Sequence, residues 1–177
     1  MKKPFLQYAI PVLGLKMGAQ AFKFELEEDF FSQFEQSPIE QGKGFSITME
    51  LDKRHDMVVL QFDFSGTIKS ACDRCLADIW LPVQGSEQLV VKYAEKENFD
   101  GDEVVFITLD THELNVAKFI YEYICLSMPL VRIYDCRADE EDSPCDQAML
   151  AFLAKQTDEM PPQNIENPLW DELKKIK

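Results

Sequence analysis

Four of the five cysteines stand where their side chains could do chemistry. Cys72-Asp73-Arg74-Cys75 places two thiols on one short stretch, close enough in sequence to share an ion. Zinc takes about four nitrogen or sulfur ligands, and a C-x-x-C pair supplies two of them. Cys136 and Cys145, from an acidic stretch some sixty residues on, are the candidates to complete the set. The expectation is therefore a zinc site built from Cys72, Cys75, Cys136 and Cys145. Two other readings stay open. A thiol redox pair also uses C-x-x-C, although such pairs stand at a helix start in a βαβ setting and this one follows a strand pattern. Alternatively, both cysteines are ordinary small residues of a tight turn. Cys125 falls on the apolar side of a helical pattern and reads as a core thiol.

Other chemistry is sparse. His55 sits in a polar turn and His112 precedes a helical pattern, neither beside a nucleophile. No glycine-rich phosphate loop, nucleophile elbow or paired metal-ligand histidines occur. The expectation is a protein that is not an enzyme.

The elements that must position the thiols read mainly as strands. Residues 20–26 and 45–51 place apolar side chains at alternate positions, the period of a sheet with one buried face. Residues 52–56 are polar and form a turn. Residues 57–64 alternate in part and continue to Lys69 past Gly66, read as a bulge. Residues 79–83 and 88–93 read as two strands separated by Gln84-Gly85-Ser86, and residues 104–107 as a short further strand. A series of strands with short polar links builds an antiparallel meander.

Helical spacing follows. Val116, Phe119, Ile120, Tyr123, Ile124 and Leu126 form a broad stripe over residues 115–127, which Pro129 ends. Residues 146–155 offer a second helix with Met149, Leu150, Phe152 and Leu153 on one face. Residues 157–168, with Pro161-Pro162, read as a linker. Leu169, Trp170, Leu173 and Ile176 then recur at helical spacing beside Lys174, Lys175 and Lys177. The predicted fold class is α+β, mainly an antiparallel sheet, open or barrel-like, with one or two packed helices and an extended C-terminal segment. Residues 1–156 form a single domain centred on 45–145, and residues 157–177 are the linker and short helix.

Composition bounds the function. The chain has 177 residues, 46% of them hydrophobic, enough to bury a core. Its 32 acidic and 18 basic residues leave a net charge of −14. Such a surface repels phosphate, which argues against broad nucleic-acid binding and favours basic protein partners. No stretch reaches the roughly 18 apolar residues that a membrane span requires. No secretory signal is read near the first residue, so the expected compartment is the reducing cytoplasm.

Three separated pieces carry a family resemblance. Ile68-Lys69-Ser70-Ala71-Cys72-Asp73-Arg74-Cys75-Leu76 is a strand running into the cysteine pair. Ile120-Tyr121-Glu122-Tyr123-Ile124-Cys125-Leu126-Ser127-Met128-Pro129 is a helix ending at proline and leading on to Cys145-Asp146. Asn167-Pro168-Leu169-Trp170-Asp171-Glu172-Leu173-Lys174-Lys175-Ile176-Lys177 combines proline, an aromatic residue and lysines. Together, in this order, they resemble the YceD-like large ribosomal RNA subunit accumulation protein family. The resemblance implies a non-enzymatic factor that supports accumulation or processing of large-subunit ribosomal RNA. It further implies ribosomal proteins or assembly factors as partners, with ribosomal RNA as a second candidate. Where the family often carries a histidine after the proline, this chain has Tyr134, a poor zinc ligand. The resemblance thus supports Cys72, Cys75 and Cys145 as ligands, with Cys136 as a replacement two residues beyond Tyr134. Two other functions stay open: a zinc-stabilised module binding RNA directly through Lys69, Arg74, Lys92 and Lys96, and a thiol redox enzyme.

Overall fold

The computed structural model of the chain describes residues 5–98, 104–136 and 143–159. Its strands are β1 (Ala9–Pro11), β2 (Gly18–Glu25), β3 (Gly42–Lys53), β4 (Met57–Ala71), β5 (Asp78–Tyr93), β6 (Val104–Ile107) and β7 (Glu113–Asn115), and its helices α1 (Ala117–Leu126) and α2 (Gln147–Glu159). Five strands form one open sheet in the order β2-β3-β4-β5-β6, and β1 pairs with β7 in a small second sheet. The larger sheet does not close into a barrel. The architecture is α+β and dominated by the sheet, as the alternation of apolar residues requires.

Alternation decides which face is buried. Ile47, Met49 and Leu51 of β3, Val58, Leu60, Phe62 and Ile68 of β4, and Ile79, Val83, Leu89 and Val91 of β5 all point into one core. Helix α1 covers that face with Phe119, Ile120, Tyr123 and Ile124, and the rings of Tyr123 and Phe62 lie 5.5 Å apart. Asn115 opens the helix by accepting the Ala117 N–H at 2.9 Å, satisfying one of the donors left free in a first turn. The Leu126 side chain is exposed, because the helix ends there and the residue lies beyond the buried stripe.

Four differences from the sequence reading have physical causes. Residues 78–93 form one strand, not two: Gln84 and Ser86 are outward positions, and Gly85 is an inward position where a Cβ would strike Phe64 and the Ser127 hydroxyl. The irregularity expected at Gly66 lies across from it, in β3, where the register shifts between Lys43 and Ser46. Gly44 there has φ +64°, and the Phe45 ring occupies the space that a Cβ on Gly66 would need. Strand β6 runs parallel to β5, so the meander stops at β5. Helix α2 continues to Glu159, three residues into the expected linker; Asp146 caps it by accepting the Ala148 and Met149 N–H groups at 2.9 and 3.1 Å. The rest of that linker and the helix expected near the C-terminus lie outside the described residues.

Candidate metal centre

The hairpin of β4 and β5 is the longest pairing in the molecule, from Met57 opposite Lys92 to Ala71 opposite Asp78. Its far end carries residues 72–77, and the sequence folds them into a tight knuckle. The Leu76 N–H donates to the Cys72 carbonyl at 2.9 Å, and the Cys72 N–H donates to the Ala77 carbonyl at 2.9 Å. This geometry turns both thiols inward, and Cys72 and Cys75 are buried. It also forces Leu76 to φ +59°, a left-handed conformation that a branched side chain adopts rarely.

The second half arrives from the segment after α1. Asp73 clamps it: its N–H donates to the Arg132 carbonyl at 2.8 Å, and its Oδ2 accepts the Arg132 N–H at 2.7 Å. The Arg132 guanidinium closes the clamp with an ion pair to Asp73 Oδ1 at 3.4 Å. Four residues on, Cys136 reaches the knuckle. Cys145, also buried, enters beside it just ahead of α2, and the Cys136 and Cys145 sulfurs lie 2.6 Å apart.

All four expected ligands therefore converge. Cys72 is hydrogen-bonded to Cys75, Cys75 to Cys145, and Cys145 to Cys136. All five cysteines of the chain are free thiols. The sulfurs follow one another as a chain of contacts; among the described residues, no group of three or more His, Cys, Asp or Glu side chains surrounds a point that could hold a metal ion. Cys125 lies apart, half-buried, where burial, with the Glu122 charge and against the Tyr121 hydrogen bond, raises its thiol pKa above the ordinary value.

Electrostatics divides the thiols. Burial opposes ionisation of Cys72, yet backbone hydrogen bonds from Tyr134, Arg74 and Cys75, with the Cys75 thiol, hold its pKa down to about 7. Cys136 is also lowered, by its hydrogen bond with Cys145 and by the Arg74 guanidinium, which donates to its sulfur at 2.6 Å. Cys145 is pushed up to about 11 by burial and by the neighbouring sulfurs of Cys136 and Cys75. One cluster thus lowers the thiol pKa at two positions and raises it at a third.

Two contributors escaped the sequence reading. Arg74 serves as a charge partner of Cys136, and the Asp73–Arg132 clamp fixes the approach of the second segment. Arg74 lies between the paired cysteines, so its position hinted at a role, whereas nothing in the spacing linked Asp73 to Arg132. Trp80, half-exposed on β5, carries the Lys43 ammonium 3.8 Å above its ring. Trp170 lies outside the described residues.

Residues 60–177 match the family described as large ribosomal RNA subunit accumulation protein YceD, a span that takes in both halves of the sulfur cluster. The chain belongs to that family. Membership ties it to the accumulation of large-subunit ribosomal RNA, and the family is described as an accumulation factor and not by any reaction. Neither a curated protein nor a solved structure matches the chain. No helix among the described residues is long and apolar enough to cross a membrane.

Proposed function

We propose that this chain is a non-enzymatic, cytoplasmic factor that supports large-subunit ribosomal RNA accumulation through protein contacts, and that zinc bound by Cys72, Cys75, Cys136 and Cys145 locks its working end. The observation that carries the proposal is the convergence of those four sulfurs from two distant segments, inside the span shared with the family. Four sulfur donors and no disulfide are the donor set of a closed structural zinc site. A divalent cation would relieve the crowding of thiols by favouring thiolate at all four, including Cys145, whose pKa is otherwise pushed up to about 11. What zinc supplies here is a cross-link between the β4–β5 tip and the segment leading to α2.

Other observations narrow the reading. The net charge of −14 favours a basic protein partner over direct contact with phosphate. Of the four basic residues that a sheet-face RNA site would need, Lys69 is paired with Asp78 at 2.8 Å and Arg74 with Cys136. A redox role draws support from the Cys72 pKa of about 7, but Cys72 and Cys75 are both buried, and a thiol must be reached to be exchanged.

Two experiments test the proposal. Affinity capture of the intact protein is expected to recover large-subunit ribosomal proteins or assembly factors; recovery of none of these, nor of precursor RNA, overturns the functional reading. Native mass spectrometry of the reduced protein is expected to show one zinc per chain. A mass equal to the bare polypeptide, with all thiols intact, overturns the metal.

A further inference from the structure

The knuckle carries an apolar surface that its fold does not use. Leu76 is 70% exposed, Leu130 99%, Val131 64% and Ile133 43%. The Asp73–Arg132 clamp brings these side chains to one end of the molecule, because it fixes residues 130–133 alongside the turn that bears Leu76. Leu76 is exposed on a left-handed backbone that the knuckle imposes and that disfavours a side chain of its kind. Aliphatic side chains exposed together at a pinned tip mark a contact surface.

The chain itself holds a segment of matching chemistry. Residues 169–177, outside the described part, place Leu169, Trp170, Leu173 and Ile176 at helical spacing and end in three lysines, on a chain whose net charge is −14. Those lysines face a remainder that is more acidic still, and Asp135 and Asp146 flank Cys136 and Cys145 at the tip. Reach allows the contact. Helix α2 begins two residues after Cys145 and its 13 residues carry the chain roughly 20 Å from the cluster. The nine residues from 160 to 168 span up to about 30 Å when extended, enough to return.

We infer that residues 169–177 dock on the patch formed by Leu76, Leu130, Val131 and Ile133 of the same chain, with Trp170 as the apolar anchor and the lysines toward the acidic surround. The contact is additional to the proposed zinc site and does not require it, since the clamp alone fixes the patch.

Trp80 and Trp170 are the only tryptophans, so full-length protein carrying Trp80→Phe reports Trp170 alone. Its fluorescence is expected to be blue-shifted and protected from acrylamide, and the protection is expected to be independent of protein concentration. Adding Leu130→Asp and Val131→Asp, both at exposed positions, is expected to abolish the protection while the circular dichroism stays unchanged. A freely quenched Trp170 before those changes overturns the docking and leaves the patch to a separate protein. Protection that survives both aspartates places the segment elsewhere and equally overturns it. Protection that fades on dilution assigns the contact to a second copy and overturns docking within one chain.

Discussion

Two regions hold this molecule together by different means, and only one of them speaks in the sequence. Residues 5–45 wrap the sheet with aromatic rings: Phe30 packs against Phe5, Tyr8, Phe31 and Phe34 at centroid distances of 5.3–5.8 Å, and Phe34 stacks on Tyr121 at 3.9 Å. The other region, the hairpin tip, is held by four sulfurs and the Asp73 clamp. Ring packing asks for bulk and accepts many residue types in many registers. Sulfur chemistry asks for one residue type at fixed places. The family match, which begins at residue 60, covers the tip and leaves the aromatic wrap of residues 5–45 outside it.

Substitutions should separate the two. The largest loss is expected at the aromatic wrap, where Phe30→Ala removes a fully buried ring and should cost about 3–5 kcal/mol in urea unfolding. An equal loss from Phe152→Ala, an exposed ring on α2, would show that ring burial is not what matters. Cys75→Ser comes next. It should cost about 1–3 kcal/mol and remove one ligand of the proposed zinc site, so that a chelator is expected to lower the melting temperature of the parent protein and not of the variant. Matching chelator responses would sever the tip's stability from metal.

Smaller effects probe the backbone at each region. Gly66→Ala drives a methyl group into the Phe45 ring and should cost about 1–3 kcal/mol by overpacking, read as a lower midpoint in denaturant. At the tip, Leu76→Gly should change stability least. It relieves a left-handed residue, worth about 1–2 kcal/mol, against about 0.5–1 kcal/mol for the added freedom of glycine when unfolded. The backbone alone gives a slight gain, which loss of the contact inferred for residues 169–177 offsets, so little net change is expected; a clear gain would mean that no segment holds the Leu76 side chain.

These contrasts also explain what could be read from residues alone. Strands β2 to β4 were legible because one face is wet, so apolar and polar residues alternate cleanly. The pairing of β1 with β7 was not, since three-residue strands, one ending in Pro11, leave no period to detect. Gly85 and its polar neighbours looked like a turn because a glycine that admits a ring and a glycine that bends a chain are the same letter. At the site, the C-x-x-C pair announced itself. Cys136 and Cys145, nine residues apart, share no close spacing, and the resemblance singled out Cys145 better than Cys136; the clamp that delivers them has no signature because it joins one aspartate to a backbone some sixty residues away.

The order of the cysteines along the chain sets a timetable. Cys72 and Cys75 leave the ribosome together, while Cys145 follows 70 residues after Cys75. At translation rates of about 5–20 residues per second, the knuckle stands for several seconds without the sulfurs that complete it. During that interval the hairpin can already zip, because its pairing is local, but its tip holds two thiols with nothing to join. A newborn chain is therefore most open to oxidation at Cys72 and Cys75 before residues 136–145 have been made.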